Sequence, residues 1–300
     1  MRFCTCLLLS ILITGALARA AEKEYEIRIH RPDKAGMKFD VAITSALKRE
    51  VTTVADGRAT RDPEEVFAIE LKAVAEIVEV DDKGRDLKVT YVVEKCVKAA
   101  GEKDEEVLPK GKVFTASIGP DGKQTVYTAA DGKLTDEQTQ ALDLVADLPP
   151  PNAALADELY GPKGPQKIGA TWSVNPEAMA EDLKRHEYQA KPDAISGTVK
   201  LNGLEKANGV QCLNITGDMK VARAKMKSSN EEKPAVAIRN ASIDSTFSWL
   251  LPVDPSLNHV VAYGTVVSTF SMGAGGPEAG DFKRELKTTR MYEIRAVPLP

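Results

Sequence analysis

Histidine is scarce in this chain, with copies only at His30, His186 and His259. A metal centre needs several ligand side chains at suitable spacing, and none of these histidines has a second ligand-type residue at such a spacing. His186-Glu187 lacks the second histidine of a metalloprotease helix, and no G-x-S-x-G nucleophile elbow occurs. The sequence therefore predicts a protein that is not an enzyme and that holds no metal and no cofactor.

Carboxylates, in contrast, are common, and several of them are adjacent in sequence. A solvated surface is the usual place for such clusters. Folding can still bring two distant carboxylates together, so an acid-pair hydrolase stays open as a less favoured alternative. The clusters are Asp81-Asp82, Asp104-Glu105-Glu106 and Glu181-Asp182.

An excess of basic residues is also missing. The chain has 40 Lys+Arg against 44 Asp+Glu, and removal of Arg2 and Arg19 with an N-terminal signal would leave 38 against 44, a formal charge of −6. Binding to nucleic acid depends on clustered positive charge that neutralises phosphates. The composition therefore predicts no nucleic-acid partner.

Long apolar runs are confined to the N-terminus. Arg2 is followed by an apolar run from Leu7 to Leu17, and Ala18-Arg19-Ala20 supplies the small residues that a signal peptidase reads. The run is shorter than the roughly 20 residues of a membrane-spanning helix. We therefore predict a signal peptide cleaved after Ala20, no transmembrane segment in the mature chain, and a secreted or periplasmic location.

Removal of that signal would leave two cysteines, Cys96 and Cys212. In an oxidising compartment they could form a single disulfide bond, or they could pack as two buried thiols. The sequence does not choose between these alternatives because the geometry of the pair decides.

Apolar and polar residues alternate along most of the chain, which is typical of strands with one buried face. The clearest pair of strands flanks the turn Asp81-Asp82-Lys83-Gly84, and we predict a long hairpin there. Uninterrupted alternation would place Cys96 on the face opposite Tyr91 and Val93. We predict a mainly β fold with a few helices, built on a large antiparallel curved sheet or open half-barrel covered by helices.

A proline-rich stretch divides the β-rich sequence into two halves. We predict a single β-rich domain over residues 21–300, with halves at 21–133 and 190–300 and a helical connector at 134–189. Whether the halves form one sheet or two is left open.

The connector contains one strong helix signal. Thr135 and Gln138 fit a capping box at its start, and an apolar face follows that includes Leu142 and Val145. We predict that Leu142, Val145 and Trp172 pack onto the sheet, so that the connector is a lid.

A wide sheet under a helical lid could enclose an apolar cavity. The residues that could line it, or that could equally form ordinary core, are Tyr91, Val93, Phe247, Trp249 and Tyr263.

The chain resembles a family of secreted bacterial proteins found in planctomycetes. The resemblance rests on the export signal, the long alternating strands, the D-G hairpins, and the segment Gly164-Pro165-Gln166-Lys167-Ile168-Gly169-Ala170-Thr171-Trp172. Members of that family tend to have G-D/E-x-W at this point, and the present sequence lacks the acid.

That family is similar in architecture to the half-barrel folds of periplasmic lipoprotein carriers and mycobacterial lipid-carrying lipoproteins, which bind acyl chains on a concave sheet. The helix-covered β pattern and the missing catalytic set favour a non-enzymatic envelope protein that binds a lipid, another apolar ligand or a partner on its curved sheet. The alternative is a structural or interaction module with a solid core that binds other envelope proteins.

Overall fold

The computed structural model describes residues 23–55, 58–100, 103–185, 188–226, 236–258, 260–274 and 283–300. The predicted signal peptide, its cleavage site after Ala20, and the histidines at 186 and 259 lie outside the described residues.

Long strands dominate the described residues, accompanied by three α-helices and one 3-10 turn, η1 (Pro192–Ala194). The helices are α1 (Asp136–Val145), α2 (Ala156–Tyr160) and α3 (Pro176–Arg185). The strands are β1 (Glu24–Tyr25), β2 (Lys38–Ala55), β3 (Arg58–Arg61), β4 (Glu65–Val80), β5 (Asp86–Ala100), β6 (Lys103–Leu108), β7 (Val113–Ile118), β8 (Thr125–Ala129), β9 (Gln166–Lys167), β10 (Thr171–Ser173), β11 (Tyr188–Gln189), β12 (Ile195–Ala207), β13 (Val210–Met226), β14 (Val236–Pro252), β15 (Val260–Ala274) and β16 (Lys283–Pro298).

Fourteen of these strands form one antiparallel sheet, ordered β10-β12-β13-β14-β15-β16-β2-β4-β5-β7-β8 with β3, β6 and β11 paired at its sides. The path ends at β10 on one side and at β8 on the other, so the sheet is open. The predicted fold class, mainly β with a few helices on a large open antiparallel sheet, is confirmed.

The two halves of the chain meet where β16 pairs with β2. Their register runs from Lys283 opposite Val54 to Pro298 opposite Phe39, without an irregularity. Both halves therefore belong to one continuous sheet, joined by the last long strand and the first.

One face of the sheet carries two hydrophobic clusters. The N-terminal cluster gathers β2, β4, β5 and β7 under α1, and the C-terminal cluster gathers β12, β13 and β14 under α2, α3 and the N-terminal segment. The opposite face is formed by the alternate residues, many of them threonine, lysine and glutamate. Only the first face has elements packed over it in the described part of the chain.

A β-bulge at Glu94 corrects the predicted orientation of Cys96. Lys72 pairs with Lys95, but Ala73 pairs with Val93, so Glu94 is an extra residue in β5. An extra residue shifts the alternation by one position. Cys96 is therefore buried in the same cluster as Val93, not on the opposite face.

In the middle of the covered face, two aromatic rings lie directly against glycine residues of the neighbouring strands. Tyr292, Gly264, Phe247 and Gly217 stand directly opposite one another on β16, β15, β14 and β13. A Cβ atom on Gly264 would lie 2.3 Å from the Tyr292 ring, and one on Gly217 would lie 2.3 Å from the Phe247 ring. The rings thus occupy the space that side chains at the glycines would need.

Helix α1 has the predicted capping box: the Gln138 amide N–H donates to Thr135 Oγ1 and the Thr135 amide N–H donates to Gln138 Oε1. No basic residue stands in its last turn. Arg290 of β16 instead donates to the Leu144 carbonyl over 2.9 Å. Its positive charge stabilises the C-terminal end of the helix, where the helix dipole is negative. The helix therefore contacts both the N-terminal cluster and the strand that joins the halves.

Leu142 and Val145 of α1 are buried against the N-terminal cluster. Trp172 is half-buried at the edge of the C-terminal cluster, belongs to β10 and pairs with Val199. Its indole N–H donates to the Tyr160 carbonyl over 2.7 Å. The connector thus contacts the covered face over both halves, and Trp172 does so as part of an edge strand.

Truncation of Leu142 tests the packing of α1. Leu142 is fully buried, so Leu142→Ala should lower the free energy of unfolding by about 2–5 kcal/mol through lost burial and a residual cavity. Gln140→Ala on the exposed side of the same helix should change it by no more than about 0.5 kcal/mol. Urea denaturation measures both values, and equally small effects would contradict the packing described.

Candidate functional site

A cavity of about 310 Å³ lies over the N-terminal half of the covered face. We call it the strap cavity, because residues 27–33, the strap, run along it and contribute Ile29, His30, Arg31 and Asp33 to its lining. Its polar lining comes from the strap, the start of β5 and the turn before β15. The lining residues are Ile29, His30, Arg31, Asp33, Phe39, Val41, Ala75, Ile77, Asp86, Val89, Tyr91, Ala156, Asn258 and Ala296.

The connector holds one side of the strap. Asp157 of α2 accepts hydrogen bonds from the backbone N–H groups of Ile29 at 2.7 Å and His30 at 3.0 Å. Two backbone donors on one carboxylate fix both the position and the direction of the strap.

The turn between β14 and β15 holds the strap through Arg31. This buried guanidinium donates to the carbonyls of Pro252, Asp254 and Leu257 over 2.6–2.7 Å. A buried charge is tolerated when its hydrogen-bonding groups are satisfied, and the carbonyl oxygens do this here. Asn258 of the same turn donates to the Pro32 carbonyl over 3.2 Å.

The turn between β4 and β5 completes the frame. The Asp33 N–H donates to the Gly84 carbonyl over 2.9 Å, and a Cβ at Gly84 would lie 2.5 Å from the Cβ of Pro32. Gly84 also has a φ of +74°, so glycine suits this position on both counts. Arg85 pairs with Asp81 at 2.6 Å and donates to carbonyls of the connector, which ties the turn to the connector.

The polar groups of the cavity include two carboxylates. Asp33 Oδ1 accepts a hydrogen bond from Asn258 Nδ2 at 2.7 Å. Asp86 Oδ1 is shielded from solvent and has no hydrogen-bond partner in the described part of the chain. An unsatisfied buried oxygen is costly in free energy, so Asp86 stands out from the other acids within the described ranges.

The environment raises the pKa of both carboxyl groups. Burial raises the pKa of Asp86 to about 7, and the charge of Asp33 adds to this effect. Burial likewise raises the pKa of Asp33, while the Asn258 hydrogen bond and the nearby His30 oppose the rise. A strongly shifted pKa in an apolar cavity is typical of a functional site.

Two of the residues predicted to line an apolar face belong to the N-terminal cluster. Tyr91 and Val93 are buried there, and Tyr91 borders the strap cavity and stacks on Phe114 with ring centroids 4.8 Å apart. Phe247 and Trp249 belong to the other cluster, where their rings stack at 4.1 Å. The four residues therefore lie in two separate packed regions.

Tyr263 lies on the opposite face of the sheet, which corrects the prediction that it shares a face with the other four. Antiparallel pairing sets Tyr263 opposite Ser248 and Glu293, whose side chains point away from the covered face. Its hydroxyl accepts a hydrogen bond from Arg295 at 3.4 Å and it borders an open groove of about 470 Å³.

Cys96 and Cys212 are both buried and unbridged, so the disulfide bond considered from the sequence does not form. They lie on β5 and β13, which are six strand spacings apart in the sheet. At about 4.8 Å for each spacing the separation along the sheet is about 29 Å, far beyond the Cα–Cα distance that a disulfide allows.

Sequence reasoning missed Asp33 and Asp86 as site residues. Asp86 starts β5 four residues after the acid pair Asp81-Asp82 at the turn, and composition does not separate it from that pair. The strap next to Asp86 has its hydrogen-bond partners in three distant segments, and no local sequence pattern reports such contacts.

Within the described ranges, no group of three His, Cys, Asp or Glu side chains is arranged to hold a metal ion. In the same ranges, no helix combines the length and the apolar character needed to cross a membrane.

Comparison with known protein families and with curated proteins finds no match. Among solved structures, the chain is similar to the crystal structure of an outer membrane channel from Pseudomonas putida F1, with a TM-score of 0.21 and 8% identity over 91% of this chain and 100% of that one. A likeness this low carries no argument about fold or function.

The pH dependence of stability tests the burial of Asp86. Its ordinary pKa is 3.8 and the folded value is about 7, so the folded protein holds a proton that the unfolded chain has released over this range. Stability is therefore lost as pH rises from about 4 to about 7 and is constant above that. Asp86→Asn removes the ionisable group, so the free energy of unfolding of the variant should exceed that of the wild type by at most about 4 kcal/mol at pH 8 and by little at pH 4.

Urea denaturation at both pH values measures this difference on ligand-free, refolded protein. Asp82→Asn makes the same chemical change at an exposed position and should give no such pH-dependent gain. A D86N variant whose stability tracks the wild type from pH 4 to pH 8 would show that Asp86 ionises freely.

Proposed function

We propose that the protein is a secreted or periplasmic binding protein, not an enzyme, which holds a small and largely apolar molecule in the strap cavity. The observation that carries this proposal is the cavity itself: apolar walls from four adjacent strands, β16, β2, β4 and β5, partly covered by the strap, with a few polar groups in the same lining. Sites of this composition are typical of small-molecule binding.

The volume of the cavity indicates the size of the ligand. A volume of about 310 Å³ corresponds to roughly ten water molecules, at about 30 Å³ each, and so to a ligand of about ten non-hydrogen atoms. The remainder of the covered face is filled by buried side chains of the two clusters and by the helices. A ligand would thus occupy one cavity over the N-terminal half, rather than lie across the sheet as in a carrier of long acyl chains.

A second candidate function is hydrolysis by an acid pair, favoured by the position of Asp33 and Asp86 in one cavity. Such chemistry needs one protonated and one ionised carboxyl group flanking the scissile bond. The walls formed by Phe39, Val41 and Val89 offer few hydrogen-bonding groups to a polar substrate such as a sugar. The binding function is therefore the better supported of the two.

Filling the cavity tests the proposal. Ala296 lines it and is half-buried, so Ala296→Leu should fill part of the space and lower ligand occupancy at least about tenfold. Ala42→Leu, a matched change at a half-buried alanine on the opposite face, should leave occupancy unchanged. Native mass spectrometry of protein purified from its own host measures the occupancy of all three forms.

A wild-type protein with a ligand-free mass would contradict the binding function and favour a structural or interaction module. A bound species that is cleaved by the wild type but not by D86N would favour the hydrolase. If circular dichroism shows that A296L does not fold, Ala156→Leu is used in place of that variant, because it fills the cavity from the connector side.

A further inference from the structure

The polar part of the strap cavity holds two carboxyl groups, and hydrogen-bond donors satisfy them unequally. The guanidinium of Arg31 already donates to four backbone carbonyls, and the Asn258 amide donates to Asp33 and to a backbone carbonyl. The Nε2 atom of His30 lies 2.9 Å from a backbone carbonyl, which can only accept. Asp33 thus accepts a hydrogen bond from Asn258, whereas Asp86 Oδ1 has no donor among the described residues.

Asp86 shows the imbalance most directly. Its Oδ1 atom is removed from solvent without a partner among the described residues, although a carboxylate oxygen is a strong acceptor. The Asp86 carboxyl group belongs to the cavity lining, so a ligand that donates a hydrogen bond to it would offset part of the cost of burying this group. Binding energy gained in this way depends on the chemical class of the ligand head, not on its apolar body.

The charge of the site favours one class of donor. An ammonium group would form charge-assisted hydrogen bonds to Asp86 and Asp33, which are about twice as strong as neutral ones. A hydroxyl group would form neutral or singly charged hydrogen bonds, and a carboxylate would bring a third negative charge next to two others. The apolar walls meanwhile match a short hydrocarbon body.

We infer that the strap cavity, if it has the binding function proposed above, takes a small amphiphilic amine, with its ammonium group on the carboxylates of Asp86 and Asp33 and its hydrocarbon body between the strap and the sheet. The volume of the cavity matches an amine of about ten non-hydrogen atoms in all.

Three probes of equal length test the inference: octylamine, octanol and octanoic acid. At pH 8, above the pKa of about 7 of Asp86, calorimetric titration of the refolded protein should show octylammonium binding roughly tenfold or more tighter than octanol, with octanoate the weakest. Asp86→Asn should lower the affinity for octylammonium about tenfold and leave that for octanol within about threefold. Asp82→Asn, an exposed change of the same kind, should leave all three affinities as in the wild type.

The outcomes separate this inference from the function on which it rests. The inference of an amine ligand would be overturned if octanol or octanoate bound as tightly as octylammonium. It would also be overturned if D86N left octylammonium binding intact. In both cases the cavity would remain a binding site. If none of the three probes binds more tightly to the wild type than to A296L, both the amine inference and the proposed binding function are overturned.

Discussion

The pairing of β16 with β2 is the interaction on which the rest of the structure depends. It joins the last long strand of the described chain to the first, over sixteen register positions from Lys283–Val54 to Pro298–Phe39. Without it the two halves would be separate sheets, each with an exposed edge of more than a dozen unpaired residues, which invites association with other chains. Closure of a loop of this length costs entropy that only the completed pairing repays, so this contact is expected to form late in folding.

The same pairing builds the strap cavity. Val41 of β2 stands opposite Ala296 of β16, and both line the cavity floor. The turn that receives Arg31 and supplies Asn258 precedes β15, so it reaches the strap only because β15 and β16 are held next to the N-terminal half. A buried carboxylate such as Asp86 is costly for the fold, and the cavity around it persists because hydrogen bonds to the strap come from three separate segments.

Local sequence signals account for much of the fold. Alternation and turn residues predicted the β4–β5 hairpin, and the pair Thr135–Gln138 predicted the start of α1, because each of these features is decided by neighbouring residues. Alternation failed at Cys96, since a single bulged residue at Glu94 reverses the parity of all that follows. The class of fold was accessible from the sequence for the same reason: long alternating strands with few helices leave few architectures.

The candidate site was not accessible in this way. Asp33, Asp86 and Asn258 are ordinary surface-type residues until the strap, two turns and the connector converge on them, and that convergence depends on the non-local pairing of β16 with β2. Tyr263 was misplaced for a related reason, because the strand pairing, not its aromatic character, decides which face it occupies.

Amide hydrogen exchange of the folded protein tests the central claim most directly. If β16 and β2 join the halves in one cooperative sheet, the paired amides of residues 41–51 and 286–296 should exchange with the same high protection free energy, close to that of global unfolding. Exchange of the β16 amides at the rate of open loops, with β2 and β15 still protected, would contradict the continuous sheet and with it the account of the cavity.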